Sequence, residues 1–215
     1  MAVEQIDASW RFSNVLSRNS RMVWDTVVYE DDDVIVIPTL GALVADWLLI
    51  VPKANALNFS SWSNKTGRNP IFLAEAVKRR IAPGSSPIWF EHGPSQEGSE
   101  VGCGVDYAHI HLLLQPPADL KTFHQTVSDL SQVEWQEADV SSVYPQPIAD
   151  RHYYAFGDFN SARVHAGGTL GRQFFRKAIA QLVGRPREWD YREFDGMKNV
   201  RQTIDHFSKS IQKAA

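Results

Sequence analysis

Apolar residues gather into short runs separated by turn-forming residues. Residues 27–29, 34–37 and 47–51 read as three strands, since each is rich in β-branched and aliphatic side chains. Glu30-Asp31-Asp32-Asp33 fits the solvated turn between the first two, and Pro38-Thr39-Leu40-Gly41 bends the chain before the third. From Asn69-Pro70 the period changes. Ile71, Leu73, Ala74, Val77 and Ile81 recur at helical spacing, with Asn69 placed to cap the first turn and Pro70 at its first position. Residues 88–90 form a fourth strand and 106–114 a fifth. Pro116-Pro117 ends the fifth, and 118–133 form an amphipathic helix on Leu120, Phe123, Val127 and Leu130.

Two further regions complete the pattern. Residues 1–21 carry scattered apolar positions (Trp10, Phe12, Val15, Leu16) that suit a short packed helix. Beyond residue 140 come a short strand at 153–156, a turn at 166–168, a helix at 171–183 and a final helix on Met197, Val200, Ile204, Phe207 and Ile211. The predicted class is α+β: an antiparallel sheet of about five strands with flanking helices in residues 1–139, and a mainly helical extension in 140–215. No low-complexity linker separates the two parts, so the extension is expected to dock on the sheet.

Composition narrows the function classes. The chain has 215 residues, 43% hydrophobic and 22% charged, which is ordinary for a packed globular fold. The net charge of −3 and the lack of a basic run argue against a nucleic-acid footprint, while leaving room for a nucleotide-sized ligand. A single cysteine, Cys103, excludes an intramolecular disulfide. No apolar segment approaches membrane-spanning length, and the acidic start is unlike a signal peptide; the expectation is a cytoplasmic protein without a membrane partner.

The candidate chemistry lies in the fifth strand, Asp106-Tyr107-Ala108-His109-Ile110-His111-Leu112-Leu113-Leu114. Side chains alternate along a strand, so Tyr107, His109 and His111 share one face, about 7 Å apart. Ala108, Ile110, Leu112 and Leu114 take the other. Just upstream, Gly102-Cys103-Gly104 lets the backbone approach a ligand and offer amide donors to phosphate oxygens. Two histidines at this spacing also suit a metal, with His92, Glu91 or His165 as a third ligand, although no HExxH or paired-cysteine pattern is present.

This stretch resembles the histidine triad family of nucleotide hydrolases and transferases, whose pattern is His-apolar-His-apolar-His before two apolar residues. Aligned on Leu112-Leu113, the three positions are Tyr107, His109 and His111, so the first histidine is replaced by tyrosine. Residues 27–55 resemble the family's N-terminal hairpin. Residues 171–194 resemble an extension found in larger relatives, the Cwf19-like proteins among them. The resemblance implies that His109 attacks an α-phosphate to give a nucleotidyl-histidine, with His111 donating to a phosphate oxygen and Tyr107 at the relay position. It implies no cofactor and no metal in the chemical step. It places phosphate at Gly102, Cys103, Gly104 and His111, and the nucleoside near Thr39 and Leu40. Gln173 and Arg176 match an anion-contacting pair in the larger relatives, although Arg176 equally suits a surface pair with Asp190 or Glu193. Residues 189–192 read as a packing element that holds the extension down.

The departures define the alternatives. Family histidines are replaced by Tyr107, Trp47 and Asn55, and Thr39 stands where an Asp or Asn would hold ribose. Tyrosine donates a hydrogen bond but carries no proton charge near neutral pH. Trp47 suits core packing or a base-stacking platform. The chain therefore reads as a hydrolase or transferase acting on a nucleotide or dinucleotide, or as a nucleotide-binding protein that has lost turnover. A metal hydrolase using His109 and His111 is the third reading. Edge-to-edge homodimers occur in the family, and the extension here is an alternative cover for that edge.

Overall fold

A computed structural model describes residues 11–101, 105–144 and 151–214. Its strands are β1 (Tyr29–Glu30), β2 (Val34–Pro38), β3 (Trp47–Pro52), β4 (Ile88–Gly93), β5 (Ile110–Leu113), β6 (Gln136–Ala138), β7 (Tyr153–Gly157) and β8 (Ala162–Ala166). The helices are α1 (Arg11–Leu16), α2 (Phe59–Thr66), α3 (Pro70–Ile81), α4 (Leu120–Ser131), α5 (Phe174–Leu182) and α6 (Met197–Ala214). No helix among the described residues is long and apolar enough to cross a membrane.

All eight strands belong to one antiparallel sheet, in the order β1-β2-β3-β5-β4-β7-β8-β6. This corrects the expectation of about five strands. Beyond them lie the short strand expected at 153–156, which is β7, and two unexpected ones, β6 and β8, where polar residues such as Glu137, Arg163 and His165 interrupt the apolar alternation that marks a strand in sequence. Their pairing has a structural consequence. β7 covers the outer edge of β4 from Trp89↔Gly157 to Gly93↔Tyr153. The edges left at either end of the sheet, β1 and β6, are only two and three residues long, which limits their use as templates for another chain.

The fifth strand is also shorter than expected. The β3 register runs from Trp47↔Leu113 to Ile50↔Ile110, so continuing it would set Ala108 opposite Pro52. Proline has no N–H to offer that ladder, and Ala108 N–H instead donates to Ala56 C=O at 2.8 Å. His109 therefore sits just before the ladder and His111 within it.

Both faces of the sheet are covered, which makes the strands continuously apolar. On one face Val36, Leu48, Ile50, Trp89, Ile110 and Leu112 pack with Phe59 and Trp62 of α2 and Ile71, Ala74 and Val77 of α3. α2 had no apolar periodicity to announce it, and its start is fixed by a capping box between Asn58 and Ser61. The opposite face carries Trp47, Phe90 and Leu113 against Phe123 of α4, Phe175 and Ile179 of α5 and Val200 of α6. A smaller cluster beside it joins Ile35, Ile37, Leu49, Val51 and Tyr107 to Phe12 and Val15 of α1.

Gly93, at the end of β4, lies against the Tyr153 ring so closely that a Cβ there would fall 2.0 Å from it. Tyr153 is buried and donates from its hydroxyl to Glu91 Oε2 at 2.9 Å, so it has no room to retreat. Gly93→Ala is expected to cost about 3 kcal/mol, the upper end for overpacking. Urea unfolding would show it as a lowered midpoint with an unchanged slope.

Candidate active site

Between α1, the ends of β3, β4 and β5, and residues 173–191 lies a cavity walled by His92, His109 and His111. Phe12, Thr39, Leu40 and Leu49 supply further wall, and Gln173, Arg176 and Tyr191 close the opposite side. Arg11 completes the charged groups. Two guanidiniums and no carboxylate stand among these described wall residues, an arrangement suited to an anion.

Hydrogen-bond partners fix the tautomer of each imidazole. His109 Nδ1 lies 2.8 Å from Tyr107 C=O. A carbonyl only accepts, so Nδ1 carries the proton and Nε2 keeps its lone pair. His111 Nδ1 lies 3.1 Å from Trp47 Nε1, and an indole N–H only donates, so in His111 the proton is on Nε2. His92 Nε2 receives Phe175 N–H at 3.5 Å, a long contact that leaves Nδ1 as its donor. One ring thus presents a nucleophilic nitrogen and the other two present N–H donors.

Burial keeps all three neutral. It lowers the His109 pKa to about 4, aided by the Arg11 charge and opposed by the Tyr107 carbonyl. His92 falls to about 3 through burial and then the nearby His109 and Arg176. His111 is held well below its ordinary value by burial and by His109, His92 and the two arginines. Packing fixes the rings as well. Phe90 stacks on His111 with centroids 4.5 Å apart, and Phe12 meets His109 at 5.2 Å. The His109 and His111 rings are 5.1 Å apart.

The other expected site residues divide. Thr39 and Leu40 are buried on the wall, and Thr39 N–H is held by Trp47 C=O at 3.0 Å. Tyr107 is not on the wall. Its hydroxyl donates to Pro52 C=O at 3.0 Å, and its backbone carbonyl is the group that His109 Nδ1 meets. Gly102, Cys103 and Gly104 lie outside the described residues. Gln173 and Arg176 are on the wall, and Arg176 is buried, not at the surface. Its guanidinium donates to the carbonyls of Trp189, Leu40 and Gly41 and lies over the Trp47 ring at 4.8 Å. Gln173 instead holds Asp190, through Nε2 to Oδ1 at 2.9 Å. These contacts join the turn at 40–41 to the extension. Gly41, at φ +72°, has no space for a Cβ, which would lie 2.4 Å from that of Tyr191.

Several wall residues are not identifiable as site residues from the sequence, among them His92, Arg11 and Phe12. His92 entered only as a metal ligand, Arg11 was not singled out, and Phe12 was assigned to a packed helix. Only strand pairing reveals His92: Phe90 is opposite His111, and His92 is two residues further along the same face. Glu91 faces the other side, bound by Phe59 N–H at 2.8 Å, and His165 Nδ1 contacts Glu134 C=O. Among the described residues no group of three or more His, Cys, Asp or Glu is placed to hold a metal.

Trp47 has a testable function here. In Trp47→Phe the His111 Nδ1 loses its donor, and the ring is expected to become a mixture of tautomers. Long-range ¹H–¹⁵N spectra of the imidazoles would read this directly. A single, unchanged Nε2–H tautomer in the variant would show that Trp47 does not set it.

No family model matches the chain, and no curated protein matches it. Among solved structures, the chain is similar to the crystal structure of a Hit-like protein involved in cell-cycle regulation from Bartonella henselae, solved with an unknown ligand. The two share 18% identity over 48% of this chain and 75% of that one, with a TM-score of 0.37.

Proposed function

We propose that this protein is a histidine-triad-like nucleotide hydrolase or nucleotidyl transferase acting at an α-phosphate through His109. The observation that carries the reading is the His109 ring. It is neutral, its Nδ1–H is held by the Tyr107 carbonyl, and its Nε2 lone pair belongs to a ring on a wall of positive charge. In the first step the Nε2 lone pair forms a P–N bond while the leaving group departs with the electrons of its bond to phosphorus. The imidazolium so formed keeps its Nδ1–H on the carbonyl. Water then attacks phosphorus and loses a proton, and the P–N pair returns to Nε2, releasing a nucleoside monophosphate. His111 Nε2–H and His92 Nδ1–H are donors for the oxygens on which charge develops. Candidate substrates are dinucleoside polyphosphates, nucleoside phosphoramidates and nucleotide-sugar-like diphosphates.

A second reading has its own support. The Tyr107 hydroxyl is bound to Pro52 C=O, so protonation of the leaving group has no route through it. A nucleotide-binding protein without turnover fits that feature. Intact-protein mass spectrometry after incubation with adenosine and guanosine phosphoramidates and dinucleotides separates the two. A nucleotide adduct or product in wild type supports the enzyme. Thermal stabilisation by nucleotide without adduct or product supports the binding protein, and neither response would overturn both.

A further inference from the structure

α1 is a helix of six residues, held to the sheet by buried Phe12 and Val15. That packing brings Arg11 onto the cavity wall with His109 and His111. The Arg11 side chain is only 9% exposed. Its Nε donates to Asp25 Oδ1 at 2.8 Å, while Nη2 reaches Trp24 C=O at a long 3.4 Å. Asp25, whose side chain is 5% exposed, is also bound by Ser20 Oγ at 2.6 Å and is not on the wall. The two wall arginines therefore differ. Arg176 donates to three carbonyls and braces the extension, whereas Arg11 is held from behind by one carboxylate. The positive charge of Arg11 also acts on both His109 and His111, which places its field at the reacting group.

We propose that Arg11 is the phosphate-binding cation of this cavity, held by Asp25 and taking non-bridging oxygens of the phosphate that His109 attacks. The proposal rests on the α-phosphate reading above and adds α1 to the site. A guanidinium suits this role because its planar fork meets two phosphate oxygens at once and stays charged at any working pH. Charge gathering on those oxygens as the P–N bond forms would strengthen the contact. The ligand must then carry phosphate, and the nucleoside alone gains nothing from Arg11.

The test uses the full chain and calorimetric titration with AMP and GMP beside adenosine and guanosine. Arg11→Gln is expected to weaken nucleotide binding roughly ten- to a hundredfold, as for a lost charge-assisted bond, and to leave nucleoside binding unchanged. Arg11→Lys should recover part of the loss. Asp25→Asn removes the ion pair but keeps the cation, so it should lower the melting temperature and weaken nucleotide binding much less than Arg11→Gln does. If Asp25→Asn and Arg11→Gln weaken AMP equally, Arg11 is a structural clip and the proposal fails. It also fails if Arg11→Gln binds AMP as wild type does, or if wild type binds AMP no better than adenosine. Failure of the covalent reading looks different: Arg11-dependent AMP binding persists while no His109 adduct forms. Conversely, an adduct forming in Arg11→Gln at the wild-type rate and affinity overturns the role of Arg11 alone.

Discussion

His109→Ala is expected to lose nucleotidyl transfer by on the order of a thousandfold or more, the scale seen when a covalent nucleophile is deleted. No neighbouring ring can substitute. His111 has its Nδ1 on the Trp47 indole and a proton on Nε2, while His92 has its Nε2 on the Phe175 amide. The loss should fall on the chemical step, because Arg11, Arg176 and the other wall residues remain. The fold should persist, since His109 lies outside the β5 ladder and its principal packing partner, Phe12, stays seated on Tyr107. Single-turnover kinetics with a nucleoside phosphoramidate would read the rate, with circular dichroism as the folding check. A variant keeping a tenth of the wild-type rate would remove His109 from the role of nucleophile.

The second large effect is acid sensitivity. In the unfolded chain each imidazole titrates near 6.5, whereas in the fold His109 is held at about 4 and His92 at about 3. Between those values the unfolded chain binds protons that the native protein excludes, so stability is present above pH 6.5 and is lost as the pH falls. His111 acts in the same direction. One pKa unit is worth about 1.4 kcal/mol, so His109 alone represents about 3 kcal/mol, a large share of the usual 5–15 for a domain. Glu91 acts oppositely. Burial raises it from 4.5 to about 7 against the hydrogen bonds from Phe59 and Tyr153, so its contribution falls as the pH rises through that window. Three histidines outweigh one glutamate below pH 6.5. The melting temperature should therefore rise steeply from pH 4.5 to 6.5 and then flatten or decline slightly. Glu91→Gln should steepen the rise, and His109→Ala should make it shallower. A melting temperature that does not change between pH 5 and 6.5 would contradict the buried neutral cluster.

These effects differ in how far the sequence reveals them. The pairing of His109 with His111 on one face follows from alternation, a local property of extended backbone. α3 was equally legible, because Asn69 accepts from Ile71 and Phe72 N–H and Pro70 opens the helix as read. β2 and β3 follow from their continuous apolar runs. Long-range pairing was not legible. β8 has too few apolar residues to stand out, and it becomes a strand because β7 offers it an edge. Tyr107 shares the histidine face by alternation, and its hydroxyl meets Pro52 C=O just upstream of Ile110, where β5 begins.

The sequence by itself determined the shared face of His109 and His111, the main helices and three of the central strands, since each depends on residues within a few positions of one another; the role of His109 as nucleophile is what the family resemblance implies. Tertiary structure alone decided the rest of the site. His92 reaches the cavity because β4 pairs with β5, and Trp47 sets the His111 tautomer because β3 pairs with β5 on its other side. Arg11 and Arg176 arrive from opposite ends of the chain, brought to one wall by burial of Phe12 and Phe175 on the same face of the sheet. The neutral state of the three imidazoles has the same origin. Loss of solvent on every side is a property of the assembled core, and no local stretch of sequence encodes it.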